Sequence, residues 1–163
     1  MSPDNVSRLS IKAVLLGGIT DVFATNVARL PLLGIAAARA NLAAVPKAQQ
    51  AEAVMAVMEA SPELQAAALV VGCLCTALGG YVAARVAGRS QVLHGALSSY
   101  LAVAFGFAAL FTALQVPLWQ HVAGLLVSPA LGAAGGWIRL WQTQRPMDPS
   151  DDLSQYFEPQ PTR

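Results

Sequence analysis

The sequence predicts an all-α, polytopic membrane protein with four transmembrane helices. Three observations carry that prediction. Only 12 % of the 163 residues are charged and 55 % are hydrophobic, whereas a soluble domain carries roughly 25 % charged residues. Mean hydropathy is +0.52. Apolar stretches near the ~20 residues that a helix needs to cross hydrocarbon recur four times, at 9–29, 64–86, 92–115 and 120–141.

The first span runs from Leu9 to Arg29, with Arg8 and Lys12 at its start and Pro31 just past its end. A secretory signal peptide is the rival reading, because a basic start followed by AVLLGGI imitates one. Asp21 interrupts the apolar run, and neither Ala24-Thr25-Asn26 nor Val27-Ala28-Arg29 is a small-x-small cleavage site, which favours a retained helix. Residues 31–63 then form an outer connection. Within it, residues 48–60 should be helical, with Ala51, Val54, Met55 and Met58 on one apolar stripe suited to the bundle surface or the membrane interface. The two methionines would need a third thioether or imidazole to hold a soft metal, and the stripe explains them without one.

Ser61-Pro62-Glu63 reads as a helix start: serine caps, proline fits the first turn, and glutamate suits the positive end of the dipole. The second span follows from Leu64 to Val86, and the turn AGRSQ leads into the third, Val92 to Gln115. Pro117-Leu118-Trp119 makes a tight connection to the fourth, Gln120 to Trp141. The four spans and their connections make one bundle over residues 1–145. Residues 146–163 carry prolines and acids with little to bury, and are expected to form a disordered cytoplasmic tail. Arg8, Lys12, Arg85, Arg89, Arg139 and Arg145 fall on one side of the spans, against Arg29, Arg39 and Lys47 on the other. That bias places both termini in the cytoplasm.

The second span ends ALGGYVAAR and the fourth ends ALGAAGGWIR, each setting a glycine pair before an aromatic and an arginine. The echo points to two related helical hairpins. Gly17, Gly18, Gly79, Gly80, Gly135 and Gly136 are the expected packing positions, because small residues let helices approach where lipid supplies no hydrophobic force. At GGYVAAR, residues 79–85, and LHG, residues 93–95, the chain resembles small four-helix bacterial integral membrane proteins of unassigned function that carry a Gly-Gly-Tyr-x-Ala-x-Arg signature. The resemblance covers the second and third spans. It implies a four-helix architecture and a bacterial inner membrane, and it brings no catalytic residue.

Chemistry has one obvious seat. Asp21 lies nine residues past Lys12, about 13 Å into the membrane. A common depth count reaches Thr76, Ser128 and the region just beyond Ser98, Ser99 and Tyr100 in the same midplane layer, whose hydroxyls could bond Asp21, with Thr25 and Gly17 on the helical face of Asp21. Asp21 then serves either as a structural pin, hydrogen-bonded across helices, or as a site for a proton, cation or polar ligand. A misplaced first span, or a partner chain supplying a counter-charge, would be the third explanation. Arg85, Arg89, His94 and Arg139 are expected to form a cytoplasmic basic rim facing lipid headgroups. His94 and His121 should lie at opposite interfaces, too far apart to share a site.

Cys73 and Cys75, two apart on a helix, point to different faces and suit neither a mutual disulfide nor a CxxC motif. A net charge of +1 with no basic block interleaved with aromatics argues against nucleic acid. No Ser-His-Asp set, HExxH, phosphate loop or paired carboxylates occurs in the sequence, so no enzyme activity, cofactor or metal is expected. The chemical poverty, the small-residue faces, the amphipathic connection and the tail together predict a scaffold or accessory component of a membrane assembly or homo-oligomer. Its partners would be membrane lipid and either another protein or a second copy. A small transporter or channel built on the midplane layer is the alternative.

Overall fold

The structure is a computed structural model and describes residues 9–109 and 118–144. It is all-α. Among the described residues five α-helices follow one another: α1 (Ile11–Arg39), α2 (Gln50–Ala60), α3 (Pro62–Ala87), α4 (Gln91–Ala109) and α5 (Leu118–Thr143). Among the described residues, α1 and α3 are the two helices long and apolar enough to cross a membrane, where the sequence predicts four. The third and fourth predicted spans, 92–115 and 120–141, each include side chains outside the described residues. The third span's last residues and Pro117 lie outside the described residues, as do the tail, Arg8 and Arg145.

Helix α1 begins where Ser10 caps it: the Ser10 hydroxyl accepts the Ala13 N–H at 3.3 Å, and the Ser10 carbonyl accepts that of Val14 at 3.1 Å. It does not stop before Pro31. The helix continues through it to Arg39, ten residues beyond the expected end, so that α1 is about 43 Å long. A proline deletes one backbone bond, and the residues that follow it, Leu-Leu-Gly-Ile-Ala-Ala-Ala, are mostly good helix formers that carry the helix on. The connection therefore shrinks to residues 40–61. It turns through left-handed Asn41 and two short 3₁₀ turns, held by Gln50 Nε2 donating to the Leu42 and Val45 carbonyls at 3.1 and 3.2 Å.

Helix α2 packs across α1 and α3. Of its expected stripe, Val54 and Met58 are half-buried, while Ala51 and Met55 are exposed. Ser61 precedes α3, but its hydroxyl makes no capping bond; its carbonyl instead accepts the Leu64 and Gln65 N–H groups, both at 3.1 Å. The Arg39 guanidinium meets the Glu63 carboxylate at 2.6 Å and ties the end of α1 to the start of α3. Both side chains are exposed to solvent, which screens the pair, so it contributes little to stability. Helix α3 closes on Gly88, whose left-handed backbone (φ 67°) lets its N–H return to the Ala84 carbonyl.

The bundle is two antiparallel hairpins. Gly17 of α1 sits against Gly79 and Ala83 of α3, while Gly95 of α4 sits against Gly132 and Gly136 of α5. The hairpins meet with α1 parallel to α4, through Ser10 on His94, Gly17 beside Ser98 and Gly18 under Leu101. Helix α3 runs parallel to α5, and there the two halves of the sequence echo pack on each other: Gly80 against Gly132, and Gly135 against Ala77 and Tyr81. Tyr81 closes this seam by donating its hydroxyl to Gln142 Oε1 at 2.9 Å. All six expected glycines are buried at crossings. Gly95 and Gly132 share that role and were not anticipated, although Gly132-x-x-x-Gly136 is the spacing that close helix pairs use.

Burial is inverted relative to a soluble domain. The buried hydrophobic residues are mostly small, Ala13, Ala36, Cys75, Ala83 and Ala84 with Leu64 the largest, and the buried polar ones are Asp21, Gln91, His94, Ser98 and Ser99. Large apolar side chains point outward, with Phe23 and Leu69 each 69 % exposed and Leu126 72 %.

Candidate functional site

Asp21 stands at the α1–α3 crossing, 3 % exposed. A methyl built on Gly79 would lie 2.8 Å from its Cβ and 3.3 Å from its Cα, so α1 approaches closely at Asp21 because the facing position is a glycine. Oδ1 accepts two hydroxyls, from Thr25 one turn along α1 and from Thr76 of α3, each at 3.3 Å. Oδ2 is buried and has no hydrogen-bond partner. One oxygen of the carboxylate is thus committed across the helix pair and the other is not. Interhelical hydrogen bonds of this kind measure about 0.6 kcal/mol on average and up to about 1.7. Thr76→Val should accordingly lower stability in detergent by about 1 kcal/mol, read as a shift in the thermal unfolding midpoint, whereas Thr20→Val should not; the Thr20 hydroxyl is spent on the Leu16 carbonyl of its own helix.

The rest of the expected midplane layer does not assemble around Asp21. Ser98 and Ser99 are buried but turn back on their own helix, donating to the Gly95 carbonyl at 2.8 Å and the Ala96 carbonyl at 2.7 Å. Tyr100 points outward, 46 % exposed. Ser128 lies half-buried on α5, which packs on α3 and α4. Packing sets the register of α4: Ser98 lies beside Gly17 and Leu101 covers Gly18, which puts the part of α4 level with Asp21 beyond Tyr100, the region that the depth count reaches.

The expected basic rim also changes membership. Arg85 and Arg89 are exposed and Arg139 is half-buried with its Nε unpartnered, but His94 is 1 % exposed and belongs to the core. Its Nε2 lies 2.9 Å from the Ser10 backbone nitrogen, and its Nδ1 lies 3.0 Å from the Ser90 carbonyl oxygen. A backbone N–H can only donate and a carbonyl can only accept. The ring therefore carries its proton on Nδ1 and accepts on Nε2. In sequence, a histidine near a helix end reads as interfacial; nothing local betrays that Ser10, 84 positions away, presents a donor to it. The side chain of His121 lies outside the described residues.

Cys73 and Cys75 are free thiols, the first half-buried and the second buried. Among the described residues, no three His, Cys, Asp or Glu side chains gather in a way that could hold a metal ion. No family model, no curated protein and no solved structure matches this chain.

Proposed function

We propose that this chain is an integral four-helix protein of a bacterial inner membrane, with both termini cytoplasmic, and that it serves as a non-catalytic scaffold or accessory component of a membrane assembly or homo-oligomer. The observation that carries the reading is the inverted burial. Phe23, Leu69, Leu74 and Leu126 are 66–72 % exposed while Asp21, His94, Ser98 and Ser99 are 1–3 % exposed. Water penalises that arrangement and hydrocarbon favours it. The scaffold role is supported by how the buried polar groups are used: His94 is engaged by backbone at both nitrogens, and Ser98 and Ser99 by their own helix. Reporter fusions placed after Arg145 and within 87–91 should report cytoplasm, and one within 46–60 the outside. Native mass measurement in mild detergent should give a homo-oligomer or a complex with a second chain. A strict monomer with nothing co-purifying would overturn the scaffold reading while leaving the topology intact.

One observation favours a second reading, a small transporter or channel. The buried Oδ2 of Asp21 has no partner, which is the arrangement expected of a group that takes up a proton or cation in passage. That reading requires water to reach Asp21, and a structural pin does not.

A further inference from the structure

Ser10 has three bonds of unequal kind. Its hydroxyl and carbonyl accept from Ala13 and Val14 within α1, but its own N–H leaves the helix and donates to His94 of α4. Since Ser10 is the residue at which α1 begins, that bond ties the first turn of the helix to α4, ahead of the Gly17–Ser98 and Gly18–Leu101 contacts. We infer that His94 is a proton-operated latch: its neutral imidazole holds the first turn of α1 on α4, and uptake of a proton at Nε2 releases that turn.

The step balances as one proton taken from solvent. In imidazolium both ring nitrogens are donors, so Nε2–H would face the Ser10 N–H, donor against donor, and the 2.9 Å contact could not persist as a bond. The Nδ1 bond to the Ser90 carbonyl survives, and His94 stays anchored to its own helix while its grip on α1 is lost. The charged groups that the neighbouring elements bring to this end are Lys12 on α1, Arg85 on α3, Arg89 in the α3–α4 turn and Arg139 on α5, all basic. Among the described acids, Asp21 lies about 16 Å along α1 from Ser10, and Glu52, Glu59 and Glu63 lie at the opposite end of the bundle. No carboxylate in the described structure is placed to hold an imidazolium where it forms. Charge at this position therefore drives separation of α1 from α4.

Hydrogen exchange of the full chain in detergent, followed on peptides covering residues 9–16, tests this between about pH 7.5 and about pH 5, a window in which histidine commonly changes charge. After correction for intrinsic exchange chemistry, protection of the first turn should fall about tenfold or more on acidification, the factor that corresponds to losing one hydrogen bond of about 1.4 kcal/mol. His94→Gln keeps an acceptor but cannot charge, and should hold its protection across the window. Unchanged wild-type protection, or an equal loss in His94→Gln, would overturn the latch. Should the glutamine variant not fold, ¹⁵N resonances of the wild-type ring decide. The latch requires the Nδ1–H tautomer near neutrality and release coincident with ring protonation; an Nε2–H tautomer would overturn it.

Discussion

Gly80→Leu should prevent the two hairpins from closing. A side chain built on Gly80 meets the carbonyl oxygen of Gly132, and the Gly132 carbonyl carbon and Cα stand at 2.8 Å. These are backbone atoms of α5, so no rotamer change relieves the clash; α3 and α5 must separate. Separation exposes the neighbouring contact of Gly135 with Ala77 and Tyr81, and strains the Tyr81–Gln142 hydrogen bond. Overpacking a well-filled core costs about 1–3 kcal/mol when side chains can give, and the cost here should lie at or above the top of that range. In detergent the variant should lose its cooperative thermal transition or show a midpoint far below wild type. Gly72→Leu on the same helix is the internal control, because nothing stands within 4 Å of the position and leucine is a better helix former. Equal damage from both substitutions would mean that the helices tolerate neither, and that the α3–α5 crossing is not what holds the hairpins together.

That contrast shows how much of the fold was legible in the residues. Helix content followed from composition and apolar run length, and the glycine pairs marked crossings because small residues have little other reason to recur before Tyr81 and Trp137. Sequence could not distinguish Gly80, pressed on Gly132, from Gly72, facing open space, since that depends on the rotation of each helix. The end of α1 was misjudged at Pro31, where local chemistry says stop and the residues beyond sustain the helix. At the candidate site, Asp21 with Thr25 was readable from a spacing of four, and Thr76 from depth. Ser98 and Ser99 were misassigned because a serine hydroxyl can reach its own helix's carbonyl, an outcome that depth alone does not reveal. His94 was missed because its partner is a backbone N–H, which every residue but proline has and which no pattern marks.

Asp21→Leu should cost the fold about 1–3 kcal/mol and with it the oligomeric state, whereas Asp21→Asn should cost neither. The argument rests on the unequal use of the two oxygens. Asparagine keeps a carbonyl oxygen that accepts from both Thr25 and Thr76, and puts its NH₂ where Oδ2 now lies unpartnered. Leucine removes the acceptor, leaves both threonine hydroxyls without their shared partner, and sets a branched side chain at a buried helix crossing. Thermal unfolding and native mass in detergent read the structural part. Proton flux into sealed proteoliposomes carrying a pH-sensitive dye reads the functional part. A scaffold gives no flux in any variant, and the Asn protein is then indistinguishable from wild type. A proton or cation pathway gives flux in wild type that vanishes in an Asn variant of normal stability, because an amide neither releases a proton nor carries charge. Should the Leu variant match wild type in stability, mass and flux, both readings fall together, since a carboxylate that is 3 % exposed and bridges α1 to α3 cannot be replaced at no cost by an alkyl group if the bridge matters.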